Sequence, residues 1–248
     1  MHNILRHKKQ HLKGIVAAVV LSVLSFSSFA QLRDRINLPD TDEKAYHIGI
    51  VVMGATSRFQ ISHHPRFLQY DSVLAVYPEN NIGIGIGGMH TLKISNHFEA
   101  RVVFPQLLFA NKSITYELKE PDPNNGGKLV KKNIESILLG IPIQLKFKSD
   151  RINNFRVYMM GGIKFETDLA SKARAKNAED MIKLKSMDFG VEAGIGFNFY
   201  MRYFILSPEI KISNGLSNSH SRDESLKYSN VVDKLQSRMV VFSLIFEG

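Results

Sequence analysis

Apolar and polar residues alternate strictly along the segment from Asp188 to Phe199. The apolar parity consists of Phe189, Val191, Ala193, Ile195, Phe197 and Phe199. A period of two over about a dozen residues is typical of a β-strand between an apolar and a polar medium, and it exceeds the five or six residues common in soluble strands. Tilted strands of about 9 to 11 residues cross a bilayer. The segment alone fits a soluble sandwich, whose apolar face is the core, and a membrane barrel, whose apolar face meets lipid.

The same alternation recurs along the chain and predicts eight strands. Their ranges are 46–59, 81–93, 98–118, 133–148, 156–169, 183–199, 204–215 and 235–246. The connections between them are alternately long and short, and the first long one runs through His63, Pro65, Asp71 and Pro78. This rhythm is typical of an up-and-down barrel with an even number of strands, whereas a Greek-key sandwich gives no reason for it.

Prolines and glycines interrupt several of the predicted strands. Pro105 is expected to mark a kink or bulge in the third strand, where the parity blurs. Pro142 in the fourth strand conflicts with a closed barrel, because a barrel has no free edge that tolerates a missing N–H donor. Gly83, Gly85 and Gly87 are expected to leave space in the lumen. The alternative for these glycines, a phosphate-binding loop, needs a following helix, and a turn follows instead.

Residues 1–30 have the pattern of a secretory signal peptide. A basic region precedes an apolar run of about ten residues, and a small-x-small cleavage site ends at Ala30. So few apolar residues do not span a bilayer as a helix, which favours cleavage over a retained membrane anchor. The mature chain is therefore expected to be exported.

Composition and charge narrow the classes of protein further. The sequence has no cysteine, which excludes disulfides, thiol catalysis and thiolate metal sites. Four of the 32 basic residues and none of the 23 acidic ones precede residue 31, so the exported part has a net charge of about +5 rather than +9. This modest charge on an exported chain disfavours nucleic acid as a partner. No later run reaches 18 apolar residues, so a place in the membrane requires a closed barrel.

The sequence thus predicts an all-β fold, an eight-stranded antiparallel up-and-down transmembrane β-barrel over residues 46–248. The cleaved signal peptide (1–30) and a periplasmic lead-in (31–45) precede it. The barrel is expected in the cell outer membrane, in contact with lipid, with both termini in the periplasm. Loops at His63, Asn125, Lys176 and Ser221 would lie outside the cell, and turns at Ser95, Asn153 and Arg202 in the periplasm.

The inward parity places mixed charges in the predicted lumen. They are Glu99, Arg101, Lys164, Glu166, Asp168, Glu192, Glu209 and Lys211. Eight strands enclose an interior just wide enough for side chains, so these charges are expected to pair and fill the barrel rather than to line a transport path. Loop histidines such as His63, His64 and His220, with nearby serines, are the residue types of acyl chemistry, but no spacing defines a site. We therefore expect no catalytic, cofactor or metal site and no small-molecule substrate.

An ordered set of short strings extends over about residues 46–247. The strings include Asp71-Ser72-Val73-Leu74-Ala75-Val76, Arg151-Ile152-Asn153-Asn154-Phe155-Arg156, Gly161-Gly162, Asp168-Leu169-Ala170-Ser171, Asp188-Phe189, Ser207-Pro208-Glu209, Ser237-Arg238-Met239 and Phe246-Glu247. Taken together they resemble the PorT family, the small outer-membrane barrel of the type IX (Por) secretion system. The resemblance implies a barrel that takes part in exporting folded cargo proteins without being the conduit. It also implies other components of that system as partners, and it offers no catalytic or ligand residues.

Two other functions stay open at this stage. A generic porin-like barrel with a structural or adhesion role would have much the same composition. A small barrel enzyme acting on envelope lipids through a loop histidine and serine is a further alternative. The enzyme would require a histidine and a serine or acidic residue to converge at the lipid-facing outer rim.

Overall fold

A computed structural model describes residues 36–65, 67, 72–121, 126–171, 184–221 and 227–248. The predicted signal peptide, residues 31–35 of the lead-in and the loop positions Asp71, Asn125 and Lys176 lie outside the described residues. The chain divides into two units, Met1–Ile36 and Asn37–Gly248, and the fold below is that of the second. None of the helices in the described ranges is long and apolar enough to cross a membrane.

The described residues form nine antiparallel strands and two short helices. The strands are β1 (Tyr46–His63), β2 (Val73–Glu79), β3 (Asn81–Lys93), β4 (Phe98–Leu118), β5 (Leu129–Lys148), β6 (Phe155–Asp168), β7 (Met187–Tyr200), β8 (Ile205–Gly215) and β9 (Val232–Glu247). A 3-10 helix (Pro39–Asp42) precedes β1, and the four-residue helix α1 (Lys227–Asn230) precedes β9.

Eight of the strands close into a ring. The sheet order is β2-β4-β3-β1-β9-β8-β7-β6-β5, and β5 also pairs with β4. Within this ring each strand pairs with two neighbours, β4 pairs in addition with β2, and strands that follow one another in the ring also follow one another along the chain. The closing pair of β1 with β9 is long, from Gly49 opposite Glu247 to His63 opposite Val232. The predicted eight-stranded up-and-down barrel is confirmed.

Strand β2 corrects the prediction that residues 60–80 form a polar loop. It pairs with the loop-side half of β4, from Val73 opposite Leu118 to Glu79 opposite Ser113, and so continues the line of β3 beyond Asn80. Pro78 lies inside this strand. It is tolerated there because β2 has a ladder only with β4 among the described residues, and an edge strand can lack one N–H donor.

The two ends of the barrel differ in the length of their connections. The turn end carries the short connections 94–97, 149–154 and 201–204, and the loop end carries the long ones, 64–72, 119–128, 169–186 and 216–231. The predicted alternation of long and short connections is confirmed.

The strands separate an apolar outer wall from a mostly polar interior. On β7, Ile195 is 52 % exposed while Glu192 is 4 % exposed, and the same alternation follows β5, where Ile141 is 38 % exposed and Lys146 is 1 % exposed. The strict period of two therefore reflects two different media on the two faces.

The prolines within strands face interruptions of the hydrogen-bond ladder. The β4–β5 register shifts between Val102 and Gln106, which is the bulge expected at Pro105. On β5 the backbone groups of even-numbered residues point to β4, since Lys148 N donates to His97 O, so Pro142 turns its missing donor towards this bulge. Because the ladder is already broken at this bulge, the missing N–H of Pro142 does not deprive a β4 carbonyl of a hydrogen bond.

Pro208 on β8 differs from Pro142, because no bulge faces it. The β7–β8 register is the same on both sides of Pro208, at Gly196 opposite Glu209 and at Phe199 opposite Leu206. Met201 N donates to Phe204 O, so even-numbered positions of this segment direct their backbone to β7. Pro208 therefore interrupts the ladder itself, by the one N–H donor that it lacks.

Candidate functional site

The barrel interior holds all eight charged residues that the sequence places in the lumen. Their exposed fractions range from 1 % for Arg101 to 8 % for Asp168. The structure distributes them over three contacts between strands rather than one cluster. The contacts also include partners that the sequence analysis did not name.

The first contact joins three strands around Glu209. The Arg101 guanidinium donates from Nη1 to the Glu209 carboxylate at 2.6 Å, and the Tyr158 hydroxyl donates to the same oxygen, Oε2, at 2.8 Å. Arg101 also lies over the Tyr158 ring, 5.3 Å from its centroid. A buried ion pair needs such additional hydrogen bonds to offset the cost of desolvation.

Gly196 makes this contact possible. It lies between Tyr158 on β6 and Glu209 on β8, directly opposite both. A Cβ at this position would come within 2.4 Å of the Tyr158 ring and hydroxyl. The glycine therefore lets the tyrosine cross β7 and reach Glu209 on the next strand.

The second contact surrounds Glu99 near the turn end. Lys146 Nζ lies 3.2 Å from the carboxylate, Lys148 also donates to it, and Lys146 lies over the Tyr158 ring at 4.2 Å. The sequence analysis did not single out Lys146, Lys148 or Tyr158. All three share the inward parity of their strands, and that signal was sufficient to find them.

The third contact joins three strands around Glu192. Lys211 Nζ on β8 lies 3.5 Å from its carboxylate, and Gln144 on β5 also donates to it. The remaining charges lie on β6, where Lys164 donates to Glu166 at 2.7 Å and Asp168 accepts a hydrogen bond from Ala170 N at 3.0 Å. Side chains of both signs thus occupy the interior.

The lead-in segment covers the turn end. The Asp42 carboxylate accepts bonds from Arg156 at 2.9 Å, Arg151 at 3.2 Å and the Tyr200 hydroxyl at 3.2 Å. Burial alone would raise the pKa of the Asp42 carboxyl, but Arg156 and then Arg151 outweigh burial and hold that pKa below its usual value of 3.8. Arg151 stacks on the Tyr200 ring, 3.6 Å from its centroid. Residues 31–45 were expected to be a periplasmic lead-in, and this docking was not predicted.

An apolar cluster fills the loop end. Its buried members are Phe59, Val73, Val76, Ile114, Tyr116, Leu118, Val130, Ile134, Tyr228, Val231, Val232 and Leu235. Tyr228 on α1 contacts Tyr116, with ring centroids 4.9 Å apart. The helix therefore inserts an aromatic side chain between the strands that extend beyond the apolar wall.

One histidine and one serine do converge at this end. His220 Nε2 and Ser229 Oγ lie 3.0 Å apart, but they are only 3 % and 0 % exposed. The sequence analysis did not single out Ser229. Both side chains are buried, whereas the enzyme hypothesis requires such a pair at the lipid-facing outer rim.

The interior leaves little free space among the described residues. A cavity of about 30 Å³ lies between Lys112, Glu166, Asp168 and Asp188, which is room for about one water molecule. No group of three or more histidine, aspartate and glutamate side chains within the described ranges has the arrangement to hold a metal ion. The geometry is that of a filled barrel.

The outer wall has the features of a lipid-facing surface. Its exposed side chains are predominantly Ile, Val, Leu and Phe. At the turn end, aromatic rings meet in pairs, Phe98 with Phe147 at 5.1 Å and Phe204 with Phe246 at 5.9 Å between centroids. Aromatic girdles of this kind border the apolar band of membrane barrels.

The family comparison agrees with this architecture. Residues 30–221 match the family described as outer membrane protein beta-barrel domain, and the chain belongs to that family. It is an integral outer-membrane β-barrel protein. The match ends before β9, the strand that closes the ring by pairing with β1 and β8.

Several solved structures of small outer-membrane barrels are similar in fold. OprG from Pseudomonas aeruginosa is 12 % identical, with 81 % of this chain and 95 % of that chain covered and a TM-score of 0.43. Ail of Yersinia pestis, in complex with the heparin analogue sucrose octasulfate, is 11 % identical, with 83 % and 100 % covered and a TM-score of 0.37. Outer membrane protein W of E. coli is 14 % identical, with 80 % and 97 % covered and a TM-score of 0.34. No curated protein matches the sequence.

Proposed function

We propose that this outer-membrane barrel is a non-enzymatic component of the type IX protein secretion system, needed for export of folded cargo proteins to the cell surface. The observation that carries the proposal is the filled interior. Paired charges occupy the middle of the barrel, the 3-10 helix covers one end and the apolar cluster occupies the other. An eight-stranded barrel filled in this way has no passage for a folded protein.

A barrel without a passage has to act on secretion through its surfaces. Its loops, turns and lipid-facing wall are the parts that can contact a larger machine. The ordered strings that resemble the PorT family name that machine as the type IX translocation system. The filled interior and the resemblance are independent, and both favour an accessory role over a channel.

In this proposal the loop end faces the outside and the turn end faces the periplasm. Long outer loops and short periplasmic turns are the usual arrangement of outer-membrane barrels. Both termini then lie in the periplasm, and the docked lead-in covers the periplasmic opening. The partners are other secretion components that reach the turn end, where Asp150 and Arg202 are exposed, or the lipid-facing wall.

The test is a deletion strain complemented with the full-length gene. We expect the deletion to leave folded cargo in the periplasm with uncleaved sorting regions, and complementation to restore cargo at the surface. The level of an unrelated outer-membrane protein controls for general envelope damage. Normal secretion by the deletion strain would contradict the proposal and favour the structural or adhesion barrel. Stable conduction through a wide pore by the purified protein in planar bilayers would also contradict it.

A further inference from the structure

Two arginines lie directly opposite each other on the outer face of the barrel. Arg58 on β1 pairs in register with Arg238 on β9, and both side chains are exposed. Directly opposed residues of an antiparallel pair have Cβ atoms about 4.5 to 5.5 Å apart, and like charges in this arrangement destabilise the pair. An anion bound between the two guanidinium groups would relieve this repulsion.

The arginine pair marks the loop-side limit of the apolar wall. Towards the turn end the outward pairs of β1 and β9 are Val52 with Leu244, Gly54 with Phe242 and Thr56 with Val240; towards the loop end they are Gln60 with Gln236 and Ser62 with Lys234. From Phe246 to Arg238 the strand covers about 26 Å at about 3.3 Å per residue. With the usual strand tilt of about 35 to 45°, this length corresponds to a height of about 18 to 21 Å, somewhat less than the apolar band of about 25 Å, and a long arginine side chain can extend its charged head from the edge of the band to the headgroups. The guanidinium groups are thus placed at the depth of lipid headgroups.

A groove adjoins the two arginines. It has a volume of about 280 Å³ and is lined by Thr56, Arg58, Asn80, Arg238, Met239 and Val240. The groove lies where the β1–β3 ladder ends, at Ser57 opposite Asn81. Beyond this point β1 has no ladder with β2, which continues the line of β3. One side of the groove is therefore polar and cationic, and the other adjoins the apolar wall.

Neither arginine is neutralised by another residue that the structure describes. Within the part of the chain that the structure describes, no carboxylate or carbonyl bonds either guanidinium. Glu79, next to Asn80 in the sequence, is engaged by Lys131 and by the Thr115 hydroxyl. The two charges therefore stay available to a ligand from outside the chain.

We propose that Arg58 and Arg238 bind a phosphate group on the headgroup of a membrane lipid whose acyl chains lie along the apolar wall beside them. Two planar guanidinium groups can each form a bidentate contact with phosphate oxygens. Asn80 supplies a further amide donor at the edge of the groove. Phosphate binding replaces the repulsion between the two arginines by attraction to a shared anion, so the site is expected to be stable only when occupied.

The test measures lipid binding by the mature full-length chain in zwitterionic nanodiscs. The probes are lipid A with its phosphates, dephosphorylated lipid A and phosphatidylcholine, and bound lipid is counted by native mass spectrometry. We expect at least a tenfold preference for phosphorylated over dephosphorylated lipid A. The double variant Arg58→Gln/Arg238→Gln should lose this preference, whereas Arg202→Gln, an exposed arginine at the turn end, should keep it. Equal binding by the wild type and the double variant would overturn the proposal.

A stability measurement separates ligand binding from a structural role. In zwitterionic detergent alone, Arg238→Gln should raise the unfolding temperature, because it removes the repulsion from Arg58. In the presence of phosphorylated lipid A the order should reverse, with the wild type more stable than the variant. An unchanged order in both media would contradict the proposal. If millimolar inorganic phosphate displaces lipid A, the two arginines recognise a phosphate group whether or not it belongs to a lipid. If lipid A stays bound in the presence of inorganic phosphate, the lipid is the specific source of the phosphate.

Discussion

At the scale of single residues, the interior depends on side chains that reach across a neighbouring strand. Tyr158 crosses β7 over Gly196 to donate to Glu209, which also holds Arg101. The cost of a substitution therefore depends on which charge it leaves behind.

Glu209→Gln tests whether Arg101 depends on its carboxylate. Breaking a buried ion pair leaves an uncompensated charge and costs about 3 to 5 kcal/mol, whereas removing both charges is often close to neutral. We expect Glu209→Gln to lower the free energy of unfolding strongly and Arg101→Met/Glu209→Gln to recover much of the loss. Urea unfolding in lipid vesicles, followed by heat-modifiable gel mobility, measures both variants. A double variant less stable than the single one would show that the pair stabilises the barrel outright.

At the scale of the strand, the lipid-facing parity determines which positions tolerate charge. Gly194 has the inward parity of β7, but a Cβ there would lie 2.6 Å from Ile210 O and 2.7 Å from Lys211 Cβ. The interior at this point is sterically full. A comparison of two outward positions at different depths therefore tests the lipid-facing assignment without this steric effect.

Ile195→Arg and Met187→Arg compare two depths on the outer face of β7. Ile195 lies well within the apolar band and Met187 begins the strand at the loop end. An arginine near mid-bilayer costs about 2 to 4 kcal/mol, and the cost falls to about 0 to 1 kcal/mol near the interface. We expect Ile195→Arg to reduce the folded fraction in vesicles much more than Met187→Arg. Equal losses at the two positions would contradict the lipid-facing assignment of this strand.

The docked lead-in is a second element with a testable dependence, here on pH. Asp42 has a folded-state pKa below its usual value of 3.8, because Arg156 and Arg151 favour the carboxylate despite burial. A depressed pKa means that the contribution to docking is present above the unfolded pKa and is lost as the pH falls through the folded pKa. The protection of the backbone amides of residues 37–45 against hydrogen exchange, relative to an unstructured chain at the same pH, should therefore fall below about pH 4. Asp42→Asn should show fast exchange at neutral pH and no such transition, and an unchanged wild-type profile down to pH 2 would refute the docking.

Some of these elements could be predicted from the sequence and others could not. The eight strands and their faces followed from alternation, because lipid on one side and packed side chains on the other impose a strict period of two. Strand β2 was missed because Pro78 and its polar surroundings resemble a loop. The lead-in was missed because its bonds join Asn37 to Asn154 and Asp42 to Arg151. Contacts so distant in sequence leave no local pattern.

At the scale of the whole molecule, the interior is divided between two kinds of packing. Apolar residues of β1, β3, β4 and β9, such as Met53, Met89 and Met239, fill one side. Charged residues from β4 to β8 occupy the other side. A water-filled channel would be polar throughout. The apolar side and the covered ends therefore agree with a barrel whose working surfaces are outside its lumen.

Those outer surfaces are distinguished by which side of the membrane they face, and cysteine labelling tests that assignment. The chain has no cysteine, so each introduced cysteine is the only thiol in the protein. We expect cysteines at Asn125 and Lys176, in the long connections, to react in intact cells with a reagent that does not cross the outer membrane. Cysteines at Asn153 and Arg202, in the short turns, should react only after the membrane is permeabilised. Labelling of Arg202→Cys from outside would show that the barrel has the opposite orientation. The turn end, which carries the docked lead-in and the exposed Arg202, would then face the outside and could not contact a periplasmic partner.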